Sequence, residues 1–507
     1  MNPRSHPVVL VAAVAIAGLA PVATPVAVAS PSGAADASIV IAIGTEPTSL
    51  DPHLVDDGAE RAVNDNIYET LLARTPDGEL VPLLANELPT QIDDSTWEFT
   101  LRSDVTFHNG EPFDAESVVA SVDRMVAMMD EGITSNAGIF GTLAGAEALD
   151  ATTVQISTDG PDGALPARMY WLKMIPSSSR DAADLSETPI GTGPYRFVER
   201  SFGVSITLES NDEYWGDPPT IPEVTYEFVA DAATRLAGLK SGRYDLITNL
   251  SPDEAGQAPQ VAAIEGQEHP VLILDADDGI TADVRVRRAL NLAIDKQAIV
   301  DGLFGGYAVI DQGQLLSSSI LGYSDQLEPY PYDPDQARSL LEEAGAVGET
   351  ILLVGEDGRW LKDRELLEAI AGYWTAVGLD VQLDVLEFGT YLDVLFDRSN
   401  RPDAIYVSSS NDLLDPDRQL ATEYESGGSE ASNTDDELAA LIAQAREEFD
   451  PDVRQQLYED ALALAYDQAY FVWLINNQDI YGMSERLQWT PRVDAKLIVA
   501  EMSVTSG

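Results

Sequence analysis

Imidazole, thiol and carboxylate are the side chains most often recruited for acid–base, nucleophilic and metal chemistry. The histidines of this chain are His6, His53, His108 and His269, and cysteine is absent. Dispersed imidazoles make a poor metal centre, and without cysteine there is no thiol nucleophile, thiolate site or disulfide. His108, in Phe107-His108-Asn109-Gly110 beside a turn signal, reads as a structural hydrogen-bonder. G-x-S-x-G, H-E-x-x-H and the P-loop are missing, and Gly191-x-Gly193 lacks the last glycine of a dinucleotide fingerprint. Carboxylates are abundant instead: Asp and Glu number 86. Two carboxylates can hydrolyse a glycosidic bond, but in so acidic a chain any pair chosen from sequence carries no weight. A secreted carboxylate-dependent hydrolase is the alternative from another class, recognisable by turnover that survives dialysis. No cofactor or metal is expected.

Against 86 acidic residues stand 29 Lys and Arg, a formal charge of −57. Such a surface repels phosphate backbones and anionic headgroups, so neither nucleic acid nor a membrane surface is an expected partner. Lys173, Lys240, Lys296, Lys362 and Lys496 are the only lysines. The excess fits either a well-solvated exported protein or a saline medium that screens the charge. The chain is 507 residues long and 45% hydrophobic, enough for sizeable cores in two to four domains.

At the N-terminus, Arg4 precedes an apolar run from Val8 to Leu19, broken by Pro21 and Pro25 and followed by Ala27-Val28-Ala29. The run is shorter than the about 20 residues of a spanning helix, and its small-residue end suits a signal peptidase. A signal over residues 1–29, cleaved near Ala29, is therefore expected. The mature protein is then periplasmic, and without cysteine it is not a lipoprotein.

Strand and helix patterns alternate along the rest, which indicates α/β architecture. Ser38 to Ile43 reads as a buried strand, Arg61 to Leu72 as a helix, and Trp97 to Leu101 as a half-buried strand. Asp114 caps a helix with Val118, Val122, Met125 and Met129 on one face. A helix is expected from Asp283. Asp333-Pro334 starts another that Gly345 ends. Strands at 351–354 and 380–386 flank a helical stretch over 363–377. Asp450-Pro451 opens a further helix, and Tyr470 to Ile475 is expected as a final strand.

Several strings occur together and in order: Glu46-Pro47-Thr48-Ser49-Leu50-Asp51-Pro52-His53, Trp97 to Arg102, Val105 to Phe113, Pro189 to Tyr195, Ser241 to Leu246, Asp283 to Leu290 and Tyr332-Asp333-Pro334. In this the chain resembles the extracytoplasmic solute-binding proteins of peptide- and nickel-type ABC importers, family 5. The resemblance implies a two-lobed periplasmic-binding-protein fold with a hinge. Lobe one would take 30–74 and 188–269, an extra subdomain 75–187, lobe two 270–473, and 474–507 would return to lobe one. A receptor of this kind encloses a small peptide or amine-bearing solute between its lobes and catalyses nothing. It delivers the solute to an inner-membrane permease coupled to a cytoplasmic ATPase, and is expected to be a monomer. Within the same class the alternative ligand is a metal chelate, opine or sugar-like solute.

For the ligand the resemblance implies a D-x-x-[D/E]-P segment of lobe two, here Asp412-Leu413-Leu414-Asp415-Pro416, in which Asp412 would pair with an ammonium. Read without the family, Asp412 is a loop carboxylate before a helix begun by Asp415-Pro416. Where relatives often carry tryptophan this chain has Ser408-Ser409-Ser410, so Ser409 and Ser410 could hydrogen-bond a polar solute. Asp275 stands in place of an asparagine of the family, and Asp56 at a position facing ligand in some members. Asp417 is expected to be a neighbouring carboxylate of little consequence.

Overall fold

The computed structural model describes residues 37–505 except Asp56 and Ala183. The expected signal at 1–29 and the candidate Asp56 lie outside those residues. No helix among the described residues is long and apolar enough to cross a membrane.

Two sheets form the body. The first runs in the order 260–265, 475–483, 246–247, 39–43, 223–228, 205–210 and 195–201, with 308–310 added against 475–483. The β-branched Ile39–Ile43 lies at its centre, parallel to Glu223–Phe228 and Leu246–Ile247. Ile41 and Ile43 are buried with Tyr226, Leu246 and Tyr195. The second runs 380–386, 350–356, 404–410, 268–274 and 471–473. Helices cover both its faces, as a sheet with parallel strands requires. Val284–Leu292, Pro334–Ala344 and Asp363–Ala376 pack on one side; Pro416–Glu423, Asp436–Glu447 and Pro451–Gln468 pack on the other. A four-stranded antiparallel sheet, 90–93, 96–100, 153–158 and 143–148, carries the helix Ala115–Asp130. This is a two-lobed α/β fold with a smaller third sheet.

The chain passes between the main sheets at two adjacent places. Gln260–Glu265 leads through Gly266 into Glu268–Leu274, and Phe471–Trp473 leads through Leu474 into Ile475–Met483. These segments pair antiparallel with one another in both sheets. Gly266 is required at the crossing, because a Cβ there would lie 2.9 Å from the Asn477 carbonyl oxygen.

Helix caps follow the sequence pattern. The Asp114 side chain accepts from Ser117 N, Asp333 from Gln336 N, and Asp450 from Asp452 N and Val453 N. Two expectations need correcting. The helix expected over Arg61 to Leu72 spans Gly58–Ile67. The Gly191-Thr192-Gly193 turn occupies the space beyond its last turn, where a Cβ on Gly191 would lie 2.0 Å from the Ile67 oxygen and Gly193 N donates to that oxygen. Nor is 470–475 the final strand. It breaks at Leu474, and the following nine-residue strand belongs to the other sheet.

Candidate functional site

The strand Ala404–Ser410 delivers a loop whose residues point in opposite directions. Leu413 is buried in the core of the third sheet, and the Arg74 guanidinium donates to the carbonyls of Leu413 at 2.7 Å and Leu414 at 3.0 Å. Leu414 adopts φ +52°, a left-handed conformation that costs a leucine energy and persists because these contacts hold it. Asp415 caps the helix Pro416–Glu423 and forms a double ion pair with Arg454, at 2.7 and 2.8 Å. With its neighbours so fixed, Asp412 faces the space between the lobes.

That space consists of two adjoining cavities of about 470 and 480 Å³, which share Asp57, Arg61, Glu268, Arg359, Trp360, Asp479 and Ala495. Arg61 comes from the helix Gly58–Ile67 and Asp479 from the strand Ile475–Met483, both in lobe one. Arg359 and Trp360 come from the loop after Thr350–Glu356 in lobe two, and Glu268 stands at the crossing. The lobes also touch around this cleft. Arg61 lies 3.3 Å from Asp412, Lys362 2.5 Å from Asp253, and Arg168 2.9 Å from Asp417.

The charges in the cleft are unevenly matched. Burial works to raise the Asp412 carboxyl, but the positive charges of Arg61 and Arg418 and a hydrogen bond from Ser410 hold it below the ordinary range. Glu268 is pushed up to about 7, chiefly by desolvation and further by the negative charges of Asp479 and Asp412. Desolvation likewise raises Asp479 to about 6. The guanidinium of Arg359 lies 4.8 Å over the Phe388 ring. Neither Arg359 nor Arg418 forms an ion pair within 4 Å among the described residues. Among the described residues no histidine lines either cavity. His108 Nε2 bonds the Gly193 carbonyl at 2.9 Å.

Of the residues singled out in the sequence, Asp412, Ser409 and Ser410 meet at the cleft. The Ser410 hydroxyl donates to Asp412 at 3.1 Å, whereas that of Ser409 turns to Glu423 and accepts from Gln419 at 2.6 Å. Asp275 is not brought there. It follows the far end of the seven-residue strand Glu268–Leu274, roughly 20 Å along, and lines a separate cavity of about 370 Å³ with no residue in common with the cleft. Asp417 is not the bystander expected. It is buried and bonds Arg168 through one oxygen and Arg446, at 2.7 Å, through the other. Sequence reasoning missed Arg61, Glu268, Arg359, Trp360, Arg418 and Asp479. Gly358-Arg359-Trp360, a turn glycine before a cation and an indole, was the one local signal available.

Comparison with known proteins agrees with this geometry. The model of bacterial extracellular solute-binding proteins, family 5 (middle region), matches residues 79–431, more than half of the chain. The glutathione-binding protein GsiB of Pectobacterium atrosepticum is 26% identical over 479 residues, covering 91% of this chain and 92% of that one. The nickel-binding periplasmic protein of Escherichia coli is 27% identical over 463 residues, covering 83% and 86%. Among solved structures, HbpA2 from Haemophilus parasuis superposes with a TM-score of 0.83 at 23% identity, over 92% of this chain and all of the other. A two-lobed α/β body, crossed twice at one edge and matched by that family model over most of its length, leads to one assignment: the chain belongs to the bacterial extracellular solute-binding proteins of family 5.

Proposed function

We propose that this receptor, exported and freed of its signal, binds a small peptide or another solute carrying both an amine and a carboxylate, and turns nothing over. It works as a monomer that hands the solute to an ABC permease. The carrying observation is the meeting of opposite charges in the cleft, where Asp412, 3.3 Å from Arg61, lines one cavity with the ion-pair-free guanidinium groups of Arg359 and Arg418. A zwitterion satisfies both at once, and contacts from both lobes favour the closed state. The relative named for glutathione, a tripeptide, supports this reading. A metal chelate or opine, rich in carboxylates, is the second reading. The same two guanidinium groups and the nickel-binding relative favour it.

Native mass spectrometry of protein from its own host should reveal a carried-over solute with an amine and a carboxylate. Calorimetric titration of that solute into Asp412→Asn should show affinity reduced roughly 30-fold or more, as expected for breaking a desolvated charge pair. Asp335→Asn, 93% exposed on a distant helix, is the control for lost negative potential, since the buried Asp417 is unsuited to it. Equal affinity for the two variants would remove Asp412 as the anchor. A carried-over polycarboxylate without an amine would select the second reading.

A further inference from the structure

Beyond Asp412 the cleft extends into lobe two and ends on two carboxylates. Glu423 closes the helix Pro416–Glu423, and Glu430 lies in the following loop; both line the cavity. Glu423 is 5% exposed. One of its oxygens accepts from the Ser409 hydroxyl, and the other, Oε2, has no partner among the described residues. A buried oxygen that accepts nothing is costly, and its residue lines the cavity. Gln267 Oε1, in a side chain 9% exposed on the same cavity, is a second unpartnered acceptor. Two acceptor oxygens of the cavity-lining residues thus lack a donor among the described residues.

Arg401 and Arg418 act on the pair by their charge but form no ion pair with it within 4 Å among the described residues. Arg401 directs its guanidinium to the backbone oxygens of Glu430 at 2.8 Å and Ser429 at 3.0 Å. Arg418 is exposed and forms no ion pair within 4 Å among the described residues. The walls are apolar. Phe388 and Tyr391 stack at 6.2 Å, Trp360 meets Tyr391 edge-on at 6.1 Å, and Leu392 and Leu395 continue the surface. Arg359 already lies over the Phe388 and Trp360 rings; an aliphatic stem fits the remaining walls, and a cation at its tip suits the carboxylates.

We propose that this end of the cleft is a subsite for a cationic side group of the solute, an ammonium or guanidinium on an aliphatic stem, held by Glu423 and Glu430. The inference deepens the zwitterion reading and, for its place in a peptide, rests on it. It makes the receptor selective for basic solutes.

The test is calorimetric titration with Lys-Ala and Ala-Lys, their norleucine counterparts, and agmatine, a cation without a carboxylate. Wild type, the Glu423→Gln/Glu430→Gln double variant, Glu430→Gln alone and Asp412→Asn are compared. Glutamine retains an acceptor for Ser409, and Glu430→Gln, away from the helix, covers any folding defect of the double variant. In one of the two sequence orders the lysine peptide should bind about tenfold or more tighter than its norleucine counterpart. The double variant should abolish that preference and Glu430→Gln reduce it, whereas Asp412→Asn should weaken both peptides alike. Peptides that bind equally with lysine or norleucine would overturn the subsite and leave the receptor reading intact. Agmatine binding that needs the two glutamates, with no peptide bound, would uphold the subsite and overturn the peptide reading. Binding of neither would remove both.

Discussion

Two groups of carboxylates lie on either side of the 411–417 loop, and the protein treats them in opposite ways. Asp162, Asp415 and Asp417 are buried where lobe two meets the third sheet, and arginines match them all: Arg168 bonds Asp162 and Asp417, Arg446 bonds Asp417, and Arg454 bonds Asp415. Burial alone would raise Asp415, but the charge and hydrogen bonds of Arg454, the Asp417 amide and the charge of Arg168 together hold it below the ordinary range. In the cleft Glu268, Asp479 and Glu423 lie where desolvation raises all three, and no ion pair within 4 Å restores them among the described residues. Matched carboxylates hold the scaffold in one arrangement. Unmatched ones are a standing cost, tolerated where a partner arrives from outside.

The largest effect should come from disturbing the matched group. Arg454→Met leaves Asp415 buried without its counter-charge, and breaking such a pair costs about 3–5 kcal/mol. Urea unfolding at neutral pH measures it. Glu268→Gln, which removes an unmatched carboxylate, should leave stability unchanged or higher in the same assay. Losses of similar size in both would show that the distinction between the groups is false.

The matched group and the cleft were unequally legible in the sequence. Helix starts at Asp114, Asp333 and Asp450 were readable because a cap bonds a backbone two or three residues away. The central strand was readable because every side chain of Ile39–Ile43 faces protein. The helix after Gly58 was read too long, because what stops it is Gly191 and Gly193, over a hundred positions away. The same distance hid the site. Arg61 and Asp412 meet only when the lobes do, and among so many acids neither stands out; Asp412 was reached through family resemblance alone. Asp415 and Asp417 sit beside it in sequence and serve the scaffold, a difference that only their arginine partners reveal.

A smaller effect separates the groups by pH. Glu268, although open to solvent at the cleft, is pushed up to about 7 from an ordinary 4.5, and Asp479 to about 6 from 3.8. Between those values the folded protein holds more protons than the unfolded chain, so stability falls as pH rises. Their contribution is complete below the ordinary values and is gone above about 7. Asp415, shifted down, acts in the other sense and loses its contribution only as the medium becomes strongly acid. Melting temperatures of wild type and Glu268→Gln between pH 4.5 and 7.5 should therefore diverge, with the variant gaining on wild type as pH rises. Parallel curves would mean that Glu268 titrates normally.

The smallest effect belongs to a pair that is matched but exposed. Lys362 and Asp253 join the lobes at 2.5 Å, and the Asp253 side chain is 64% exposed. Water and ions screen such a pair, which contributes about 0–1 kcal/mol. Asp253→Asn should thus lower stability by less than about 1 kcal/mol, far below the loss from Arg454→Met. Salt acts on this protein in two senses. It weakens the pair, and it relieves the self-repulsion of a chain of formal charge −57, so wild type and variant alike should melt higher in NaCl. The informative quantity is the difference between them, which should shrink toward zero from low to high salt while the Arg454→Met deficit persists. A difference that salt leaves untouched would place the Lys362–Asp253 pair with the buried scaffold.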